Sequence, residues 1–414
     1  MNAEIITIGD EILLGHTVDT NSAFISRQLS AIGFEVTHKS VVSDKLEAME
    51  EAFRIALRRS KVTIATGGLG PTDDDRTKRA IVKVFKRNLI LDDDILDTLK
   101  NRWASRGQEM PALSQNQALL PQGATFFPNQ IGSAVGICIT EQERVFIALP
   151  GVPIEMRHLM TEQVRPYLAK MKIDQAMSIV TLRTTGIGEV ILSEKIQPNM
   201  KLEPGLKLAY LPTFGQVDLR VVSTAQHQTE ADEKAERLVR YIEKAVGKHI
   251  YGRDDDTLTG VIGQLLKDND KTLAVAESCT AGQLGMAITD VAGASSYFVG
   301  GLLAYANDVK TAQLGVAEQI LIDHGAVSEE CALAMAIGCR KLFGTDYTLS
   351  ITGIAGPDGG TDEKPVGTVY VGLASAHTTM ARLFKFGNDR TSNRTLAVNS
   401  AMEMLRREIL DICN

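Results

Sequence analysis

From residue 4 onward, strand-length apolar runs alternate with longer amphipathic ones, and this alternation restricts the chain more than any other property. Runs at 4–8, 35–42 and 62–66 are separated by helix-period stretches at 22–32 and 45–58. Strands spaced by helices in this way make βαβ units, a parallel sheet with helices on both faces. A further apolar run at 145–153 ends in a Pro/Gly turn and leads to a helix over 154–170, which closes the first domain. The next stretch reads differently, as strand 178–183, helix 189–196, strands 207–211 and 217–223, and helix 229–246: a small α+β module. The charged run 249–256 reads as a linker, with Asp256 as N-cap of a helix over 257–267. A third stretch returns to the βαβ pattern and closes with a helix over 391–410. The predicted fold class is α/β, two three-layer α/β domains at 1–171 and 251–414 joined by the α+β module at 172–250.

Composition removes several function classes. The chain has 414 residues, 44% hydrophobic and 23% charged, with a net charge of −7. That balance argues against nucleic-acid binding that relies on clustered Lys and Arg. No apolar run approaches the ~18 residues of a membrane span, and Met1-Asn2-Ala3-Glu4 lacks the basic start of a signal peptide. A cytoplasmic protein with no membrane or nucleic-acid partner is expected. The five cysteines, Cys138, Cys279, Cys331, Cys339 and Cys413, are dispersed and form no Cys-x-x-Cys pair. They read as reduced thiols rather than disulfides or a zinc site.

Three motifs concentrate chemistry in the third domain. Glu277-Ser278-Cys279-Thr280-Ala281-Gly282 turns a strand directly into a helix, Gly300-Gly301, Tyr305 and Lys310 follow, and Thr352–Gly360 is a glycine-rich loop fed by a strand. A nucleophile on such a turn sits at the sheet's carboxyl edge, and amides at a helix start can hold an oxyanion or phosphate. Ser and Thr also cap helices, so the turn alone is equally a structural one. Near the N-terminus, residues 7–15 contain Gly9-Asp10-Glu11, followed by Asp19-Thr20-Asn21-Ser22 and by a second glycine loop, 66–72, running into Asp73-Asp74-Asp75. Backbone amides of such a loop can cradle phosphate while carboxylates hold a bridging divalent ion. The same acids also suit a helix start without any ligand.

Together these motifs resemble the CinA (competence- and damage-inducible) family along essentially the whole chain. The C-terminal motifs look like its nicotinamide-nucleotide amidohydrolase domain and the N-terminal ones like its molybdopterin-binding-like domain. The resemblance also suggests a KH-like topology for the middle module, without RNA binding, since Gly186-Ile187-Gly188-Glu189 is not a basic Gly-x-x-Gly loop. It implies hydrolysis of nicotinamide mononucleotide to nicotinic acid mononucleotide and ammonia at the C-terminal site, without a metal or other cofactor. Ser278 is then the nucleophile, and backbone donors lie around residues 280–282, with Thr280 and Gly282 at the substrate. Tyr305 and Lys310 carry protons, while Gly353, Ala355, Gly356 and Arg390 bind phosphate. Neither a Gly-x-Ser-x-Gly elbow nor a Ser-x-x-Lys pair is present, so the lysine comes from elsewhere in the chain. Cys279 competes for the nucleophile's role, and His324 and His377 read as structural.

At the N-terminal site the family's version is linked to hydrolysis of ADP-ribose at its pyrophosphate. Gly67, Gly68, Gly70 and Thr72 would hold phosphate, and Asp74 and Asp75, then Glu11 and Asp19, a divalent metal ion. A homodimer is expected. Two rival readings stay open: a molybdopterin-binding or assembly protein with a vestigial C-terminal pocket, and a competence-related interaction scaffold.

Overall fold

The computed structural model describes residues 1–171, 176–387 and 389–412. Cys413 and the residues around the expected boundary at 171/172 fall at or beyond the edges of that set. Two compact units emerge, residues 1–179 with 223–234, and residues 180–222 with 235–414.

The first unit is built on a six-stranded sheet in the order Glu35–Val42, Asn2–Ile8, Val62–Thr66, Arg144–Leu149, Gly136–Glu141 and Thr125–Phe127. The first four are parallel, Gly136–Glu141 runs antiparallel to Arg144–Leu149, and Thr125–Phe127 reverses direction again beside it. Alternation along the central strands explains the three layers. Ile5, Ile64 and Ile147 point into one core, and Ile6, Ala65 and Phe146 into the other, so each face needs its own cover of helices. The expected closing helix is broken in the middle: Pro153–Leu159 passes through a π turn, Met160–Val164, before Arg165–Leu168.

The small module has a four-stranded sheet in the order Leu206–Thr213, Gln216–Ala225, Ala176–Thr185 and Ile250–Arg253. Its last member corrects the linker reading. Ile250–Arg253 pairs antiparallel with Ala176–Thr185 as an edge strand, and Asp254 extends the pairing by accepting from the Thr181 amide at 2.9 Å. Nor is Asp256 the cap of the next helix. Its carboxylate accepts from the Arg253 amide, and Thr257 caps Leu258–Asp268 by accepting from Gly260.

The C-terminal domain has a five-stranded sheet in the order Phe298–Leu303, Leu273–Glu277, Tyr347–Gly353, Thr368–Ala374 and Thr379–Lys385. The first three are parallel and the last two form an antiparallel extension. One face carries Leu273, Val275, Leu349 and Ile351 under the helices Leu258–Asp268, Gln283–Thr289 and Arg390–Ile409. The other face carries only Ala274 and Ala276 from Leu273–Glu277, packed with Leu314, Met335 and Cys339. These small residues let Glu329–Phe343 lie close to the sheet. The helices on that face are closer still: a Cβ on Gly338 would sit 1.8 Å from the Leu314 carbonyl oxygen of Asn307–Leu314.

Candidate active site

Three neighbouring parallel strands end together, and this brings the three C-terminal motifs to one place. Glu277, the last residue of Leu273–Glu277, stands opposite Leu303 on one side and Ile351 on the other. Beyond the strand, the Ser278 amide donates to the Ile351 carbonyl at 2.9 Å, and the Ala304 amide donates to the Glu277 carbonyl at 2.8 Å. The chain then reverses through Ala281 (φ +48°) and Gly282 (φ +94°) into Gln283–Thr289. Left-handed backbone is open to glycine but costs alanine about 1 kcal/mol, so the turn is held by its surroundings.

Lys310, only 1% exposed, sits on the helix Asn307–Leu314 directly behind Ser278. Its Nζ donates to the carbonyls of Ala304 (2.8 Å) and Tyr305 (3.0 Å) and lies 3.2 Å from Ser278 Oγ. No carboxylate pairs with it among the described residues. Burial, the largest influence, pushes the amine below its ordinary value, opposed only by attraction to Cys331 and Cys279 if those thiols were ionised. They are not near neutral pH, because burial raises both, Cys279 to about 11. With two carbonyls satisfied, a neutral amine turns its lone pair toward the Ser278 hydroxyl.

The same value weighs against Cys279 as the nucleophile. With a pKa of about 11, roughly one Cys279 thiol in ten thousand is ionised at pH 7, and the side chain is buried. Tyr305 differs from expectation: its carbonyl meets Lys310, while its side chain is 61% exposed.

The predicted oxyanion donors need correction. The Gly282 amide is taken by the Glu277 carboxyl group at 3.0 Å, and the Ala281 amide by the Ser278 carbonyl at 3.1 Å. The amides of Cys279 and Thr280 donate to no other described residue, so these two remain. Thr280 is fully buried, and its Oγ1 has no hydrogen-bond partner among the described residues.

The glycine loop is tied down by the start of the C-terminal helix, Arg390–Ile409. Arg390 Nη1 donates to the Gly356 carbonyl at 2.7 Å, which ties the loop to the helix start. Asn393 Nδ2 donates to the Ala355 carbonyl at 3.0 Å, and Arg394 Nη2 to the Thr280 carbonyl at 2.6 Å. Gly353 belongs to the strand, where a Cβ would meet the Thr368 carbonyl oxygen at 2.8 Å. His324 and His377 take no part, the first beside Glu330 and the second held through its amide by Ser375.

In the N-terminal unit the strands Asn2–Ile8, Val62–Thr66 and Arg144–Leu149 likewise end together. Gly67 has φ +117°, and a Cβ there would sit 2.3 Å from the Ile8 carbonyl oxygen, so only glycine fits. Gly68 (φ +62°) lies against Thr77, whose hydroxyl donates to the Gly67 carbonyl at 2.8 Å. The predicted metal ligands are dispersed. Asp75 folds back on the amide and hydroxyl of Thr72, next to Gly70. Asp19 accepts from Thr7 Oγ1 and the Ser22 amide, and Glu11 folds over Gly9. Asp74 also turns to Thr72, whose hydrogen bond, with the nearby charge of Arg76, holds its carboxyl below the ordinary value, while the Asp44 carboxyl is pushed up first by burial and further by the charges of Asp10, Glu11 and Asp74. Among the described residues no three His, Cys, Asp or Glu side chains gather closely enough to hold a metal ion. The donor set does not fit a preformed cation site.

Comparison with known proteins covers the whole chain. Residues 4–170 match the family model "Probable molybdopterin binding domain", 180–252 "Damage-inducible protein CinA KH domain" and 255–409 "CinA C-terminal domain". A CinA-like protein of Gemmatimonas aurantiaca is 41% identical over 98% of this chain and 96% of its own length. The chain belongs to the CinA family. Another CinA-like protein, from Cytophaga hutchinsonii, is 39% identical over 99% of this chain and 98% of its own length. A solved CinA structure from Thermoplasma acidophilum is 37% identical, covers 40% of this chain and 96% of that one, and superposes with a TM-score of 0.38.

Sequence reading missed four residues of this CinA-family chain: Glu277, Asn393, Arg394 and Asp44. Glu277 was visible as the acid ahead of the serine, but only the fold turns its side chain forward onto the helix. Asn393 and Arg394 come from a helix more than a hundred positions away, and nothing local marks them.

Proposed function

We propose that the C-terminal domain hydrolyses nicotinamide mononucleotide to nicotinic acid mononucleotide and ammonia. One observation carries this reading: a buried lysine amine without a counter-charge, 3.2 Å from the hydroxyl of a serine on a strand-to-helix turn. Neutral Lys310 takes the Ser278 proton as Oγ attacks the carboxamide carbon. The oxygen, now negative, is held by the amides of Cys279 and Thr280. The carbon–nitrogen bond breaks as Lys310 returns the proton to nitrogen, leaving ammonia and an ester on Ser278. Water then attacks the ester and loses a proton to Lys310, and the carbon–oxygen bond breaks as Lys310 returns that proton to Ser278 Oγ, releasing the acid product, which ionises in solution. Tyr305, whose side chain is exposed, is assigned a part in protonating the departing nitrogen by the family resemblance alone. Arg390 and the loop it holds supply the phosphate's side of the pocket.

For the N-terminal unit the reading is hydrolysis of ADP-ribose to AMP and ribose 5-phosphate. Its support is the glycine loop at the ends of three parallel strands and the family resemblance. The carboxylates lend none, since they are not gathered. Retention of a molybdopterin is the rival for this unit, given the family model it matches.

Purified protein incubated with nicotinamide mononucleotide should release ammonia, and Ser278→Ala should not. Absence of ammonia from the wild-type protein overturns the first reading. Incubation with ADP-ribose and divalent ions, followed for AMP, decides the second.

A further inference from the structure

One buried acid beside the nucleophile has no part in the reaction just described. Glu277 is 1% exposed, and its carboxyl group faces the start of Gln283–Thr289. Oε2 accepts from the amides of Gly282 and Leu284, both at 3.0 Å, and Oε1 from that of Gly285 at 2.8 Å. Amides at a helix start lack partners within the helix and carry partial positive charge, so they attract anions. Here all that capacity is used inside the protein.

We propose that Glu277 is a positioning residue that closes this helix start to anions and fixes the turn, so that Ser278 and the Cys279 and Thr280 amides face the substrate carbonyl together. Its backbone ties the nucleophile strand to both neighbours, and its side chain reaches across the turn to the helix. One residue therefore links strand, turn and helix. Ala281 and Gly282 keep their left-handed conformations because the groups around them are over-determined, and the bond from the Gly282 amide to Glu277 is part of that constraint. An anionic substrate or oxyanion meeting free amides at 282–285 would be drawn one turn away from Ser278. The Glu277 carboxyl group removes that competing position.

The proposal rests on the amidohydrolase reading for its reaction, but the set of Ser278 can be tested without substrate. Glu277→Gln keeps the shape while presenting one acceptor oxygen and turning an NH2 toward at least one of the three amides. Labelling of Ser278 by phenylmethanesulfonyl fluoride, followed by mass spectrometry, should slow at least tenfold. Turnover of nicotinamide mononucleotide should show kcat down at least tenfold with KM within about twofold. A purely structural role predicts the reverse pattern, a lower melting temperature with both rates unchanged in the folded fraction. Labelling and kcat within twofold of wild type, in a variant that melts normally, overturn the proposal. Should Glu277→Gln fail to fold, hydrogen exchange on the wild-type protein decides: the amides of Gly282, Leu284 and Gly285 should exchange slowly and ignore added inorganic phosphate. Fast exchange there, or protection by phosphate, overturns it. If the wild type labels at Ser278 but releases no ammonia, the substrate reading falls and the labelling contrast still tests Glu277.

Discussion

At the scale of single residues, the protonation of Lys310 sets the pH behaviour. Burial holds its pKa below 10.5, and in the proposed reaction the neutral amine is the base, so lowering pH should protonate it and remove activity. The rate of ammonia release should climb with pH, half-complete below 10.5, and then level off. Arginine stays charged at any usable pH, so Lys310→Arg should lower kcat by about 100-fold or more and abolish that rising limb, while nucleotide binding survives. Near-wild-type turnover in Lys310→Arg would remove it as the base. Cys279→Ala should keep most activity, because its thiol is un-ionised. Lys78 offers a second test of a buried amine. It is 7% exposed, donates to the carbonyls of Asn116 and Gln117, and has its pKa lowered by burial to about 8. Between about 8 and 10.5 the unfolded chain binds the extra proton, so raising pH through that window stabilises the fold. The gain is on the order of 3 kcal/mol at most. The single tryptophan, Trp103, lies in the same unit and reports its unfolding. Urea midpoints read from its fluorescence should rise across that window in the wild type and rise less in Lys78→Met.

At the scale of elements, the tightest constraint is the crossing of Glu329–Phe343 over the end of Asn307–Leu314. A methyl group at position 338 would overlap the Leu314 carbonyl, so Gly338→Ala must push apart the helix that carries Lys310. Overpacking of this kind costs about 1–3 kcal/mol. Gly338→Ala should lower the melting temperature and reduce kcat together, and a variant that loses neither would show that the helices yield freely. The elements themselves were legible in sequence wherever periodicity was strong: 62–66 as a continuous apolar strand, 189–196 and 229–246 as helices. Where local chemistry pointed one way and pairing another, pairing won. Residues 250–253 read as a linker because charge follows them, yet the open edge of Ala176–Thr185 recruits them as a strand. The break at Met160–Val164 carries no local signal either, since π turns lack a sequence mark of their own.

At the scale of the whole molecule, the two motif-bearing sheets fall in separate compact units, so their chemistry should fail separately. Gly67→Ala, whose Cβ would sit 2.3 Å from the Ile8 carbonyl oxygen, should remove any ADP-ribose hydrolysis and leave ammonia release from nicotinamide mononucleotide within about twofold. EDTA should likewise leave ammonia release unchanged. Loss of ammonia release on chelation would contradict a C-terminal site built from serine and lysine alone. The C-terminal site was legible to the extent that its parts follow strand ends: Ser278 and the loop after Gly353 were each marked by a turn, whereas Lys310, inside a helix, was singled out only by the family resemblance. What could not be read was how those parts are braced, because Arg390, Asn393 and Arg394 reach the loop and the nucleophile turn only through the packing of a distant helix. The N-terminal acids show the converse, a dense motif in sequence whose side chains disperse once each finds its own hydrogen-bond donor.

The burial of Cys279 has a consequence for how the protein meets oxidants. Cys138, Cys279, Cys331 and Cys339 are all buried free thiols, and burial raises the pKa of each. Peroxide and alkylating reagents act on thiolates that solvent can reach. A hydrolase that used Cys279 would fall silent under such stress. One that works through a hydroxyl and an amine, as proposed for Ser278 and Lys310, would keep running while thiol enzymes around it are switched off, so its output would follow substrate supply and not the redox state of its surroundings.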